Sequence, residues 1–333
     1  MTPSILILII YSENLPQYKI MHDIWEKYMN EYPEVLSYFL KCDPSIEENI
    51  IEKDNIILTK YNETFLNITN KTIDSMDYLL KKFPSITHII RTNISSFINI
   101  PKLIEMVKEL PQTKLYAGRH YYNHWEKDIR KRSHFVHGSN IVFSRDVAEY
   151  LIDIIKSKKV KTDIIDDFLF GKILYEEYGI LVLNSTQIEN GLPNNFDEII
   201  KNSEYNYHFR CKNRKNRYLD CIIQLELAKR FYGNLDFSDI KFNERQKITS
   251  NIQISERKTT NIPTRKTTQK KTTEKKKSIH LNFVFKKATK KPTRKATLKT
   301  TKMTTRKTTR RVTESHKKTF IKPANNLRIR IKK

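Results

Sequence analysis

Thr87-His-Ile-Ile-Arg-Thr-Asn-Ile-Ser-Ser-Phe-Ile-Asn99 is an apolar run that passes into a polar turn, as a strand does on leaving a sheet. Two later stretches extend the pattern. His137-Gly-Ser-Asn-Ile-Val-Phe-Ser-Arg-Asp146 is a Gly-marked strand that opens a helix at Ser144. Ile165-Asp-Asp-Phe-Leu-Phe-Gly171 sets two adjacent carboxylates, Asp166 and Asp167, at the start of an apolar segment. In open α/β sheets, polar groups just past strand ends meet in the crevice where ligands bind. The three segments are therefore expected around one site.

The surrounding chain alternates strand and helix signals. Residues 4–11 are continuously apolar, as in a central parallel strand covered on both faces. Apolar residues at 18, 21, 24, 25, 28 and 29 have helical spacing, as do those between 68 and 80. Strands are predicted at 35–40, 55–58, 86–91, 114–117 and 179–183. Helices are predicted at 100–110 with Pro101 in the first turn, 145–156, 167–178 and 219–232. Residues 119–135 have no clear period and read as a loop over the site or an acceptor-facing lid. The alternation implies an α/β layer sandwich.

Charge divides the chain. Residues 247–333 hold 29 Lys and Arg against three acids, while residues 1–246 hold 33 basic and 34 acidic residues. The overall +25 thus belongs to a basic Lys/Arg/Thr-rich tail on a near-neutral body. The tail, residues 246–333, has too few apolar side chains to offset its ordering entropy and is expected to be disordered, with one alternating island at 278–285. The body, residues 1–245, is long enough for one α/β domain. Cys42, Cys211 and Cys221 read as buried free thiols of a reducing compartment, with one bridge in a secretory lumen as the alternative. The run Ile5–Ile10 is far short of the roughly 20 apolar residues a spanning helix needs and has no signal-peptide flanks. A cytoplasmic protein is expected, or a virion component, given an Ile/Asn/Lys-rich composition compatible with a large DNA virus.

The chemistry-bearing residues have simple readings of their own. Asn93 and Ser95 lie one residue apart after a strand, so their side chains can share a direction. Asp166 beside Asp167 is either a helix N-terminal charge pair or a pair in which one carboxyl is raised toward base catalysis. His208, in Tyr205-Asn-Tyr-His-Phe209, is either a core histidine or a ligand.

Order and spacing add a resemblance. The chain resembles the galactosyltransferase/Fringe-like family of nucleotide-sugar glycosyltransferases over roughly residues 55–210. That family carries Lys-Thr-Asp-Asp-Asp-Val-Phe-Val-Asn where this chain has Arg91-Thr-Asn-Ile-Ser-Ser-Phe-Ile-Asn99. Its Asp-x-Tyr-x-Asn-Leu-Thr-x-Lys-Thr corresponds to Glu63-Thr-Phe-Leu-Asn-Ile-Thr-Asn-Lys-Thr72. Its Gly-Gly-x-Tyr-Val-Leu-Ser-Arg-Asp corresponds to Gly138-Ser-Asn-Ile-Val-Phe-Ser-Arg-Asp146, and its acidic pair before Gly to Asp166-Asp-Phe-Leu-Phe-Gly171.

The resemblance implies a type-A, Rossmann-like glycosyltransferase sandwich, a UDP-sugar donor, a glycan or protein acceptor, and inverting transfer to a hydroxyl. It implies Asp167 as general base beside Asp166. Arg91, Asn93, Ser95, Lys71 and Arg119 become candidate donor-binding residues, and Asn93, Ser95 and His208 a degenerate metal set. The chain departs from the family where two aspartates become Asn93 and Ser95, because neutral oxygens hold a hard cation far more weakly. Mn²⁺ or Mg²⁺ is accordingly expected to be weak or dispensable. Three outcomes follow: basic groups such as Arg91 or Arg119 replace the metal, the metal binds mainly through the diphosphate, or the chain binds sugar nucleotides without catalysis. A different class of function rests on the tail, which could attach the protein to nucleic acid or another polyanion through residues 246–333.

Overall fold

The alternating side chains of the first strand set the architecture. In β1 (Ile5–Ile10), Ile5, Ile7 and Ile9 enter one apolar cluster while Leu6 and Leu8 enter another on the opposite face. A strand buried on both sides must be central and covered by two helical layers. The computed structural model describes residues 2–124, 126–128, 131–157, 160–162, 164–189, 196–203, 206–213 and 216–242, all within one compact unit. The expected tail and its island at 278–285 lie outside the described residues.

From β1 the chain runs through α1 (Pro16–Tyr28) to β2 (Val35–Cys42), β3 (Ile50–Lys53) and β4 (Ile56–Thr59), then through α2 (Ile68–Lys82) to β5 (His88–Asn93). It continues as β6 (Ser96–Ile98), α3 (Ile100–Lys108), β7 (Tyr116–Tyr122), β8 (His134–Ser144), α4 (Arg145–Ser157), α5 (Asp166–Tyr178) and β9 (Leu181–Val182). The last described elements are β10 (Thr186–Glu189), α6 (Phe196–Asn202), β11 (His208–Lys212) and α7 (Tyr218–Phe231).

The main sheet has the order β3-β4-β2-β1-β5-β8-β7-β9. β4, β2, β1 and β5 are parallel, and β8 runs antiparallel to β5. Helices α1, α3 and α7 feed the cluster under Ile5, Ile7 and Ile9, and α2, α4 and α5 feed the other. The α/β sandwich expected from the sequence is therefore present. The chain leaves β1 in one direction toward β2 and β4 and returns on its other side as β5, which makes the β1/β5 boundary a topological switch point.

A second sheet, β10-β11-β6, lies outside the sequence-based expectations. Its antiparallel pairing sets Arg210 opposite Ser96 and His208 opposite Ile98. The expected loop at 119–135 is also shorter than predicted. β7 and β8 form a hairpin whose arms extend to Tyr122 and from His134, with Tyr121 opposite Phe135. Cross-strand aromatic pairs stabilise these arms in place of apolar alternation. Cys42, Cys211 and Cys221 are buried and unbridged. Among the described residues no helix is long and apolar enough to cross a membrane.

Candidate active site

The polar cluster sits at the C-terminal ends of β1 and β5, where the first half of β8 continues past the end of β5. Arg91 lies near the end of β5, opposite Leu8 on one side and Ile141 on the other, and only 2% exposed. Its Nη1 donates to Asn93 Oδ1 at 3.1 Å and its Nη2 lies 2.5 Å from Asp166 Oδ2. Asp166, itself buried, opens α5, where the helix N-terminus also favours negative charge. One guanidinium thus ties the strand end to the helix start.

Asp167, the next residue, has a different environment. Its Oδ2 accepts from Gly138 N at 2.8 Å and its Oδ1 from Phe168 N at 2.8 Å. Burial, and then the charge of Asp166, raises its pKa to about 6, against the opposing pull of Arg91 and the two backbone donors. A Cβ on Gly138 would lie 2.9 Å from Asp167 Oδ2 and 3.0 Å from Arg91 Nη1. The missing side chain is what lets Asp167 and Arg91 approach each other across β8. Two carboxylates in one site are thereby distinguished: Asp166 is held in an ion pair with Arg91, and Asp167 is held by backbone donors with its pKa raised.

The turn after β5 is fastened from behind. Trp25 Nε1 donates to Ile94 O at 3.2 Å and Ser96 O at 2.9 Å, and Gln224 Nε2 donates to Ile94 O at 2.9 Å. Cys211 N donates to Ser95 O at 3.0 Å. Helices α1 and α7 and strand β11 therefore fix where Asn93 and Ser95 stand. Ser95 Oγ accepts from Arg210 Nη1. Arg210, absent from the sequence-based candidates, is 8% exposed, and its Nε has no hydrogen-bond partner among the described residues.

His208, two residues earlier on β11, is fully buried. Its Nδ1 shares a 2.6 Å bond with Ser185 Oγ, and the Ser139 backbone also acts on the ring. Burial, and then the Arg210 charge, depresses it to about 3, so the ring is neutral. His137 is depressed to about 3 by burial, with Arg210, Lys212, Arg119 and Arg91 adding in that order. Four cations therefore act on His137. Arg119 comes from an irregularity in the β7–β8 register between Gly118 and His120, a device that re-aims a side chain, and its guanidinium sits 5.1 Å from the Tyr121 ring.

Lys71 does not join this group. Its fully buried Nζ donates to Tyr11 O at 2.9 Å and Glu63 Oε1 at 2.6 Å, while Glu63 Oε2 accepts from Cys42 N at 2.9 Å. The Glu63–Lys71 pair braces the exits of β1 and β2. Ser144-Arg145-Asp146 has a similar supporting place. Arg145 donates to the carbonyls of Leu80 and Phe83 at the end of α2, and Asp146 accepts from Lys114 N. A separate depression lined by Asn30, Leu36, Ser37, Tyr38, Asp54 and Asn55 lies toward the start of β2, at the opposite end of the sheet from this chemistry.

The residues at the turn do not fit a divalent cation. A metal there would need Asn93 Oδ1 and Ser95 Oγ as ligands, and each of these oxygens already receives a guanidinium. Both oxygens of the expected set are thus engaged by cations, and the third member, His208, is fully buried.

No family model and no curated protein matches the chain. Among solved structures, a glycosyltransferase involved in the glycosylation of the major capsid of PBCV-1 is similar with a TM-score of 0.39 and 11% identity, over 67% of this chain and 100% of that one. The fold class given above stands on strand order and layer packing.

Proposed function

We propose that the protein transfers a glycosyl group from a nucleotide-sugar donor, a UDP-sugar, to an acceptor hydroxyl with inversion, and that Asp167 is the general base. The observation that carries this reading is the Asp167 carboxylate. It is positioned by two backbone N–H groups, raised to about 6, and lies beside Arg91 at the β1/β5 switch point, where α/β folds bind ligands. A base matched to working pH is what hydroxyl activation requires. The resemblance of Arg91–Asn99, Gly138–Asp146 and Asp166–Gly171 to the galactosyltransferase/Fringe-like pattern supports the same chemistry, because contacts join these segments.

In this reaction the acceptor oxygen forms a bond to the anomeric carbon while its proton passes to Asp167. The bond from the anomeric carbon to the donor phosphate breaks, and UDP leaves with the bonding electron pair. Single displacement from the face opposite the leaving group inverts the anomeric centre. Asp166 acts through Arg91, holding the guanidinium toward the strand end.

The test is to incubate the full-length protein with a panel of UDP-hexoses, UDP-N-acetylhexosamines and UDP-pentoses plus mixed acceptor glycosides. UDP release is read by chromatography and product configuration by NMR. UDP release with at least one donor, and a β-linked product from an α-linked donor, is expected. No release with any donor, or a product that keeps the donor's configuration, would overturn the reading.

A further inference from the structure

We infer that Arg210, with Arg91, forms a metal-free anion clamp for the diphosphate of a nucleotide ligand, in the position where a divalent ion would otherwise bridge protein and phosphate. The inference deepens the nucleotide-sugar reading above and rests on it for the identity of the ligand.

Arg210 is a buried cation. Only 8% exposed, it makes no ion pair among the described residues. Its one described side-chain bond goes to a neutral hydroxyl, Ser95 Oγ, and its Nε is left unbonded. Asp220 exerts a weak pull on it but is committed elsewhere, paired with Arg217 and accepting from Asn213 N and Nδ2. Burial draws Arg210 down to about 10, with Arg217 contributing, so it stays charged at neutral pH. A desolvated guanidinium with no anion is strongly unfavourable, and a bound anion relieves it.

The location specifies which anion. Asn93 Oδ1 and Ser95 Oγ, two residues apart at one turn, accept from Arg91 and Arg210, and the turn's carbonyls are held by Trp25, Gln224 and Cys211. Arg91 is neutralised by Asp166, so the surplus charge at the turn comes from Arg210, with Lys212 and Arg119 acting on the same space through His137. Guanidinium forks match phosphate oxygens in pairs, and Arg210 keeps its Nε unbonded for such a partner, with Arg91 held beside the turn by Asp166 and Asn93. Preorganised cations also stabilise the charge that grows on a departing diphosphate, with no ion to recruit.

Calorimetric titration of the full-length protein with UDP, inorganic pyrophosphate and uridine, each with excess EDTA and again with Mn²⁺, tests this. Wild type should bind UDP as tightly in EDTA as with Mn²⁺, and likewise pyrophosphate, with UDP the tighter of the two. Arg210→Gln should weaken both by at least about tenfold and leave uridine unchanged. Arg210→Lys, which keeps the charge and loses the fork, gives a smaller loss and serves if the Gln variant does not fold. UDP binding that disappears in EDTA and returns with Mn²⁺ overturns the clamp, as does wild-type UDP affinity in both Arg210 variants. Arg210-dependent binding of pyrophosphate with UDP no tighter than pyrophosphate supports the clamp and counts against the nucleotide-sugar reading instead.

Discussion

Gly138 donates its backbone N–H to Asp167 Oδ2 at 2.8 Å, and its bare Cα is what leaves room for that carboxylate and the Arg91 guanidinium together. A methyl group there would stand 2.9 Å from one, closer than side chains come, and 3.0 Å from the other, a tight contact. Gly138→Ala should therefore displace Asp167 or Arg91 by a few tenths of an ångström or more while β8 stays paired. Turnover is expected to fall about 10- to 100-fold, in keeping with the cost of small misplacements of catalytic groups, with little change in melting temperature. Steady-state kinetics beside thermal denaturation separates the two; a large loss of stability with unchanged specific activity would place Gly138 in the fold alone.

Gly171 performs a packing role in the same assembly. A Cβ on it would lie 2.3 Å from Phe135 Cβ and 2.5 Å from His134 O, so α5 can lie this close to β8 only with glycine at that position. Gly171→Ala is expected to cost about 1–3 kcal/mol, as overpacking does. Urea unfolding checks this, and no shift in midpoint would show that α5 can retreat from β8 without cost.

Much of this was legible in the sequence. The two-faced burial of β1 is visible in its uninterrupted Ile and Leu, and the positions of α1, α2, α4, α5 and α7 are visible in apolar spacing. The grouping of Arg91, Asn93, Asp166 and Asp167 follows from strand-end positions. The second sheet was not legible, because β6, β10 and β11 are three to five residues long and take their stability from long-range pairing. Arg210 was missed with it. The available signal was a single arginine inside the apolar run Tyr207–Cys211, which acquires meaning only once β11 is paired beside Ser96. The strand character of Tyr121, Tyr122, His134 and Phe135 was hidden by aromatic and polar residues on partly exposed hairpin arms.

The Arg91–Asp166 pair is buried on both sides, at 2% and 4% exposure. Arg91→Met keeps much of the volume and leaves Asp166 without its partner. Removing one member of a buried pair typically costs about 3–5 kcal/mol, so the variant should show a loss of that size in chemical denaturation. The double variant Arg91→Met/Asp166→Leu should recover a substantial part of it. Equal stability of wild type and Arg91→Met would mean that Asp166 finds another donor.

The raised Asp167 carboxyl predicts a pH dependence with a definite sign. Its basic form acts, and burial together with the Asp166 charge holds its pKa at about 6. kcat/KM should be level above about pH 7 and fall roughly tenfold per pH unit below the limb near 6. The pH–rate profile between pH 4.5 and 8.5 reads this directly, and a limb near the ordinary carboxyl range of about 4 would show that the acting base is not Asp167.

The central claim is that Asp167 accepts the acceptor's proton in a glycosyl transfer. The most direct test compares wild type with Asp167→Asn in two measurements on the full chain: turnover of the best UDP-sugar, and UDP affinity. The account predicts a fall in turnover of about 10²- to 10⁴-fold with UDP affinity within a few-fold of wild type. Wild-type turnover in Asp167→Asn would contradict it.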